Sequence, residues 1–265
     1  MKLDLHNHTS RCNHAQGSME DYVLEAIKEG VEVFGFSDHA PLRFDQGYRM
    51  SENEMDSYEN EFFALKEKYA DRIALRLGYE ADYLPTKTIE SVFSRKVDFL
   101  IGSVHFLGEW GFDNPESVFT GFDSDEFDRR GLENVWRAYF AAMADMAKSG
   151  RFNIVGHFDL IKLPGRYKGK KPDEAVIAAL EAIKEANMAI EFNASGWRKS
   201  IGEQYPSIEI LKIAYELKIP LTFGSDSHSP LHVAKELDRA YDLARSIGYK
   251  EAALFEDKKM RMVKI

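Results

Sequence analysis

Residues 4–14 read DLHNHTSRCNH and place His6, His8 and His14 within nine positions, three of the chain's eight histidines. The lead-in Lys2-Leu3-Asp4-Leu5 alternates apolar and polar residues, as a short strand does. Residues two apart on a strand share a face. His6 and His8 therefore point the same way and can hold one metal ion between them. His14 follows in a loop and returns to the same place, or to a second ion beside it. Neutral imidazole is the commonest protein ligand for zinc-like metals, so a histidine cluster of this density reads as a metal site.

Outward from this stretch, seven β-rich runs alternate with helical patterns. The expected strands are Lys2–His6, Val31–Ser37, Ile73–Tyr79, Asp98–Val104, Phe152–Gly156, Met188–Phe192 and Pro220–Gly224. Several are continuously apolar, as strands buried on both faces are. Ser18-Met-Glu-Asp21 reads as a capping box whose helix Gly30 closes, and Ser51-Glu-Asn-Glu54 opens a helix ending near Tyr69. Shorter helical signal covers Thr88–Lys96. Asp125–Lys148 is periodic, with Gly131 a break. Pro172-Asp173, Pro206-Ser207 and Ser229-Pro230 open helices to Asn187, Lys218 and Ile247.

Strand–helix alternation means right-handed βαβ units and a parallel sheet. The polar residues favour closure into a barrel over an open sheet. His6 and His8, Asp38 and His39, Glu80 and Asp82, His105, His157 and Asp159, Asn193, and Asp226 and His228 all stand at or just past the C-terminal ends of successive strands. A barrel builds its active site there. No linker or repeat splits residues 1–265, so one domain is expected. Loops Arg43–Met50, Gly108–Asp123 and Pro164–Pro172 are long enough to cover the site.

Composition is consistent with an enzyme of this size. Hydrophobic residues make up 44% and aromatics 12% of the 265, enough for a sizeable core. A net charge of -9 disfavours nonspecific nucleic-acid binding, which needs a basic excess. It leaves room for a small anionic substrate, because bound cations can dominate the local field. There is no apolar leader and no run of about 18 apolar residues, so a cytoplasmic protein without a membrane span is expected. The single cysteine, Cys12, excludes an intrachain disulfide framework.

His6, His8, His14, His39, Glu80, His105, His157, Asp226 and His228 are too many ligands for one tetrahedral zinc; they suit two or three ions with a bridging carboxylate. These segments resemble the polymerase-and-histidinol-phosphatase (PHP) superfamily, specifically its histidinol-phosphatase branch. The resemblance is carried by DLHNHTSRCNH (4–14), SDHAPL (37–42), GYEADY (78–83), DFLIGSVHF (98–106), NIVGHFDLIK (153–162), EFNASGWRKSIGEQYPS (191–207) and FGSDSHSP (223–230). It implies a distorted (β/α)7 barrel, which agrees with the seven strands counted above. It also implies three divalent metal ions (Zn, Mn, Fe or Co). His6, His8, Glu80 and Asp226 would hold the first, Glu80 with His105 and His157 the second, and His14, His39 and His228 the third. Asp38 stands where many members carry Glu. Cys12 lies inside the first motif, where a packing role and thiolate ligation are the alternatives.

The implied reaction is hydrolysis of L-histidinol phosphate to L-histidinol and phosphate in histidine biosynthesis. Clustered cations neutralise the phosphomonoester dianion, and a bridging water ionises near neutral pH to a hydroxide that attacks phosphorus in line. Asp226 is the expected proton donor to the leaving alkoxide. Arg198 suits bidentate phosphate recognition, with Arg166 and Lys162 as alternatives. Asn193 could contact substrate or a ligand, and Glu191 could orient a ligand. Trp110 and Phe112 could stack on the substrate imidazole, and Asp82 or Asp113 could receive its ammonium. The rival readings are a broader phosphatase or phosphodiesterase of the same superfamily and a noncatalytic metal-binding interaction domain.

Overall fold

The computed structural model describes residues 1–113 and 124–265. Seven parallel strands follow one another around a single sheet in chain order. They are β1 (Leu3–Asp4), β2 (Val33–His39), β3 (Ala74–Asp82), β4 (Phe99–Ser103), β5 (Ile154–Val155), β6 (Ala189–Asn193) and β7 (Leu221–Gly224). The two ends meet. Leu5 N–H donates to Phe223 O at 2.9 Å, Asp226 N–H to His6 O at 2.8 Å and His8 N–H to Ser227 O at 2.9 Å. The expected distorted (β/α)7 barrel is therefore what forms, with two-residue strands at β1 and β5 distorting it. Every residue of β2 is buried, and every residue of β3 but Ala74. Such strands are covered on both faces by the barrel interior and the helices. Phe34, Phe36, Leu75, Leu77, Phe99 and Ile101 are among the buried side chains. Each contributes roughly 1.5–3 kcal/mol of hydrophobic stabilisation, and together they make a stiff frame for the polar cluster at its mouth.

The helix signals hold where a cap carries them. Ser18 and Asp21 form the capping box that opens Met19–Lys28, and Ser51 and Glu54 the one that leads into Met55–Lys68. Asp173 caps Glu174–Glu185, and Ser207 caps Ile208–Glu216. Gly131, at a φ of 80° that other residues rarely adopt, divides the expected Asp125–Lys148 helix into Ser124–Arg130 and Leu132–Lys148.

Three differences have physical reasons. Thr88–Lys96 shrinks to a turn of helix, Ser91–Ser94, because Arg95 is extended. The expected Ser229–Ile247 helix becomes a 3-10 turn, Pro230–His232, followed by Leu237–Ile247. Left-handed residues Ala234 and Glu236 interrupt it, and the interruption delivers the Ala234 N–H to Asp4 Oδ2 at 3.1 Å. Finally, the sequence reading missed an antiparallel hairpin, Glu251–Glu256 with Lys259–Lys264. Its turn residues Asp257 and Lys258 both have positive φ, the mirror-image turn that suits hairpins, but neither is the Gly or Asn that announces one. Lys258 N–H donates to Asp98 O, and Arg76 Nε to Phe255 O. The hairpin thus covers the N-terminal side of β3 and β4, away from the histidines. Among the described residues, no helix is long and apolar enough to cross a membrane. Beyond Asp113, the expected covering loop Gly108–Asp123 lies outside the described residues.

Candidate metal centre and active site

Glu80 is the centre of the polar cluster. It sits two residues before the end of β3, in register with His39 on β2, and it is buried. Its two carboxylate oxygens face different neighbours. Oε2 lies 3.2 Å from His6 Nε2, 3.5 Å from His8 Nε2 and 3.1 Å from His39 Nδ1. Oε1 lies 2.9 Å from His157 Nε2 and 3.5 Å from His105 Nε2, and accepts from Ser103 Oγ at 2.6 Å. Asp226, left-handed at φ 51° just past β7, brings Oδ1 to 3.3 Å from His8 Nε2 and 3.9 Å from His6 Nε2. His6, His8 and Glu80 therefore converge on one point, with Asp226 set against the two histidines. Glu80, His105 and His157 converge on a second, where the two histidine Nε2 atoms are 3.2 Å apart.

His14, His39 and His228 also come together, with ring centroids 4.6 to 5.9 Å apart. They do not form one tight set. The compact groupings are His8, His39 and His228, and Cys12, His14 and His228. His39 turns its Nδ1 toward Glu80, while His14 is held back by its Nδ1 bond to Cys12 O at 2.8 Å. Cys12 is buried, and burial pushes its thiol well above the usual range.

The donor set fits divalent metal ions. His6 Nε2, both ring nitrogens of His8, His39 Nδ1 and Glu80 Oε2 are buried without a hydrogen-bond partner. Buried polar atoms seldom lack partners, and all of these except His8 Nδ1, which faces Asp38 Oδ1 at 3.7 Å, are turned toward one another. Other contacts hold the rings from behind, as metal-ligating histidines require. His6 Nδ1 bonds Glu191 Oε1 at 2.7 Å, and His105 Nδ1 donates to Asp82 Oδ1 at 2.8 Å. Gly224 is what lets Glu191 reach His6. A Cβ there would meet Glu191 Oε1 at 2.1 Å and His6 Cβ at 2.5 Å.

Electrostatics divides the cluster. Burial disfavours charge on His105, yet Asp82, Asp113 and Glu80 outweigh it and raise its pKa to about 10. His6 is likewise raised despite burial, by Glu191, Glu80 and Asp226. Burial and the neighbouring His8 cation hold His39 and His228 well below the usual imidazole range. Glu80 and Asp226 resist burial and stay well below the usual carboxylate range, Glu80 through its histidines and Asp226 through Lys199 and His6.

A cavity of about 460 Å³ opens over the centre, lined by Glu80, Asp226 and Arg198 among others. Arg198, on the 3-10 turn Ser195–Arg198, donates Nη2 to Ser225 O at 2.5 Å and leaves its buried Nη1 without a partner. Lys199, which the sequence reading missed, also lines the cavity, with Nζ 3.5 Å from Asp226 Oδ2. Its only signal was adjacency to Arg198.

Several expectations about substrate contacts need correction. Asn193 does not line the cavity, and of its two expected roles it takes contact with a candidate ligand, Asp226, over contact with substrate. It is fully buried behind the centre, and its Nδ2 lies 3.1 Å from Glu191 Oε2 and 3.3 Å from Asp226 Oδ2. Trp110 packs edge-on against Phe127 at 4.7 Å and under Arg130 at 4.8 Å, so it is not presented to a ligand in the cavity. Phe112 is buried against Tyr139. Arg166 pairs with Asp128, outside the residues lining the cavity, and Lys162 is buried between Asp159 and Glu203. Asp82 is buried and saturated by His105 and Arg49, which leaves nothing for an ammonium; Asp113 does line the cavity. Asp226 Oδ2 already accepts from Ser195 Oγ at 2.9 Å and lies beside Lys199, so this carboxylate is held ionised and is poorly placed to carry the leaving-group proton.

The model of the PHP domain matches residues 4–195. A protein of Deinococcus radiodurans named a probable histidinol-phosphatase is 36% identical over 97% of this chain and 98% of its own length. The chain belongs to the PHP domain family. A Bacillus subtilis histidinol-phosphatase is 31% identical over 86% of this PHP chain and 93% of its own. The crystal structure of the Lactococcus lactis histidinol phosphate phosphatase complexed with zinc, L-histidinol and phosphate superposes with a TM-score of 0.77 at 24% identity, over 98% of both chains. That likeness confirms the barrel.

Proposed function

We infer that this PHP chain is a histidinol-phosphatase, a metal-dependent phosphoric monoester hydrolase that converts L-histidinol phosphate to L-histidinol and phosphate. The observation that carries the substrate is similarity over nearly the whole chain to proteins of that name, at 36% and 31% identity. Residues 1–265 are read as one catalytic unit. His6, His8, Glu80 and Asp226 would hold one divalent ion and Glu80, His105 and His157 a second, while His14, His39 and His228, gathered beside them, would have to draw together around a third ion to hold it. The mixed imidazole and carboxylate donors suit Zn, Mn, Fe or Co, and zinc is bound in the Lactococcus lactis structure. Ions so held supply positive charge against a phosphate dianion and acidify a coordinated water.

The chain's own groups do the rest. Arg198 lines the cavity and would meet the phosphate there, and its Nη2 contact with Ser225 O fixes the plane of the guanidinium. Asn193, Ser195 and Lys199 hold Asp226 by Oδ2, so that Oδ1 faces His6 and His8. Lys199 brings an ammonium to the same wall, which makes it a better source of the leaving-group proton than Asp226. The cavity encloses the remote end of the ester, whose binding energy can orient phosphorus for attack.

The test is kcat/KM for L-histidinol phosphate and for a simple alkyl phosphate, with wild type and Arg198→Ala. The natural ester should lead by roughly 100-fold or more. Arg198→Ala should depress both by roughly 10- to 100-fold, the worth of a charge-assisted phosphate contact. Equal wild-type values would replace this assignment with a broad-specificity phosphatase.

A further inference from the structure

Arg49 lies at the end of the loop between β2 and Met55–Lys68, and it is buried although it carries a full charge. Its guanidinium makes three directed contacts. Nη1 donates to Asp82 Oδ2 at 2.7 Å, Nη2 to Asp45 Oδ2 at 3.0 Å, and Nε to the Asp45 carbonyl at 3.0 Å. Asp82 uses its other oxygen, Oδ1, to accept from His105 Nδ1 at 2.8 Å. His105 then points Nε2 at Glu80 and His157. On its main-chain side, Arg49 O accepts from Asn13 Nδ2 at 3.0 Å, and Asn13 immediately precedes His14. One residue of a covering loop thus touches the supports of two histidines that belong to different parts of the centre.

We propose that Arg49 is a positioning residue for the metal site formed by Glu80, His105 and His157, acting through Asp82. This rests on the reading of those three residues as a metal site. A carboxylate that orients a ligand histidine must itself be held, or it turns toward the better donor. With Oδ2 taken by Arg49, Asp82 has only Oδ1 to offer, and His105 keeps its Nδ1–H on that oxygen with Nε2 aimed at the centre. Burying the Asp45–Arg49–Asp82 charges is costly unless each is paired, and removing one member strands the others. Loss of the guanidinium leaves Asp82 buried with a free oxygen that can pull the His105 ring from its aim. The Asn13 contact uses the Arg49 carbonyl and survives any side-chain substitution, so the His14 side of the centre is spared. This selectivity separates a positioning role from general support of the fold.

The experiment uses the full-length protein stripped of metal and titrated with zinc against a competing chelator, alongside thermal unfolding of the metal-free form. Arg49→Met should weaken one zinc-binding step by roughly 10- to 100-fold, the usual cost of losing a group that orients a ligand, and leave the other steps within twofold. Arg49→Lys, which can still reach Asp82 with one donor, should recover part of the loss. Asp82→Asn should weaken the same step, and the double variant should be no worse than Asp82→Asn alone, because the two act in series. Zinc steps unchanged in Arg49→Met would overturn the proposal. So would a uniform weakening of every step that tracks the lost metal-free stability. A His105→Ala control indistinguishable from wild type would overturn the site assignment itself. None of these readings uses substrate, so a wrong ester assignment would leave them unaffected.

Discussion

Glu80→Gln is the substitution that most directly tests the centre, because it changes one atom and keeps the shape. The carboxylate spans two groups of ligands, with Oε2 at 3.1 to 3.5 Å from His39, His6 and His8 and Oε1 at 2.9 to 3.5 Å from His157 and His105. Glutamine has a single carbonyl oxygen. Its amide nitrogen donates and has no lone pair for a metal. Whichever way it turns, one group loses a ligand. If the amide faces Oε1's neighbours, His105 and His157 lose their shared carboxylate; if it faces the other side, His6 and His8 keep only the carboxylate of Asp226. Loss of one preorganised electrostatic contact costs about 10²- to 10³-fold in kcat. Two groups share this carboxylate, and residues that act as a unit are not additive, so about 10³-fold is the expected lower bound, or roughly 4 kcal/mol. Metal content should fall by at least one ion per chain. The assay is phosphate release from L-histidinol phosphate beside elemental analysis of the same sample. Ser103→Ala, which removes only the donor to Oε1, is the internal scale and should cost roughly tenfold. A Glu80→Gln enzyme with full metal content and activity within tenfold of wild type would refute the bridging geometry.

Chelation should abolish phosphate release and Zn or Mn should restore it; full activity in protein shown by analysis to be metal-free would end the metal reading. Because His105 is held as an imidazolium, with its pKa raised to about 10 in the protein alone, metal uptake at pH 7 should release its second ring proton, seen as a buffer-dependent heat in calorimetric titration. His14→Ala should lose one ion and most of the activity while keeping the fold, and unchanged metal content would show that the third group is not drawn as expected. In metal-free protein, Asp82 offers a stability test. Its pKa is lowered from 3.8 to about 2, burial being outweighed by His105 and Arg49. A depressed carboxyl contributes stability above the unfolded value that is lost as pH falls through the folded one, here about 2 kcal/mol between pH 4 and 2. Asp82→Asn should flatten that part of the unfolding profile, and an unchanged slope would show that the carboxylate is not ion-paired in solution.

Much of this was legible because chemistry and topology share one address. A strand end is where a barrel exposes side chains, so a potential ligand at seven successive strand ends announced both barrel and centre. The illegible parts are those where a partner far along the chain decides a side chain's role. Asn193 and Asp82 look alike in sequence as polar residues at strand ends, and Arg49 as one more charge in a loop. Only the fold shows that Asn193 braces Asp226, that Asp82 backs His105, and that Arg49 reaches back to Asp82 from another loop. Trp110 was misjudged for the same reason. An aromatic in a covering loop is equally able to meet substrate or its neighbours, and Phe127 and Arg130 take it. The interrupted helix after Pro230 was hidden because the N–H freed at the break, that of Ala234, is taken by Asp4, 230 positions away.

Asp4 also explains why the two outer motifs belong together. It is fully buried and takes the Ser225 N–H at 2.9 Å, the Ser225 hydroxyl at 2.6 Å and the Ala234 N–H at 3.1 Å. Asn7 beside it donates to Asp4 Oδ1 and to Gly35 O, and accepts from Ser225 and Ser227. These contacts stitch β1 to β7 where the barrel closes, and Asn7, Ser225 and Ser227 in them alternate with the ligands. The spacing Asp4-x-His6-x-His8 and the spacing Asp226-x-His228 are therefore two halves of one joint. The intervening Asn7 and Ser227 close the seam, and closure brings His6 and His8 to Asp226. The same seam carries Ser225 O, on which Arg198 rests. A barrel left open at this joint would lose the proposed first ligand group and the proposed phosphate contact together, so the motif that suggests the chemistry is also the motif that shuts the fold.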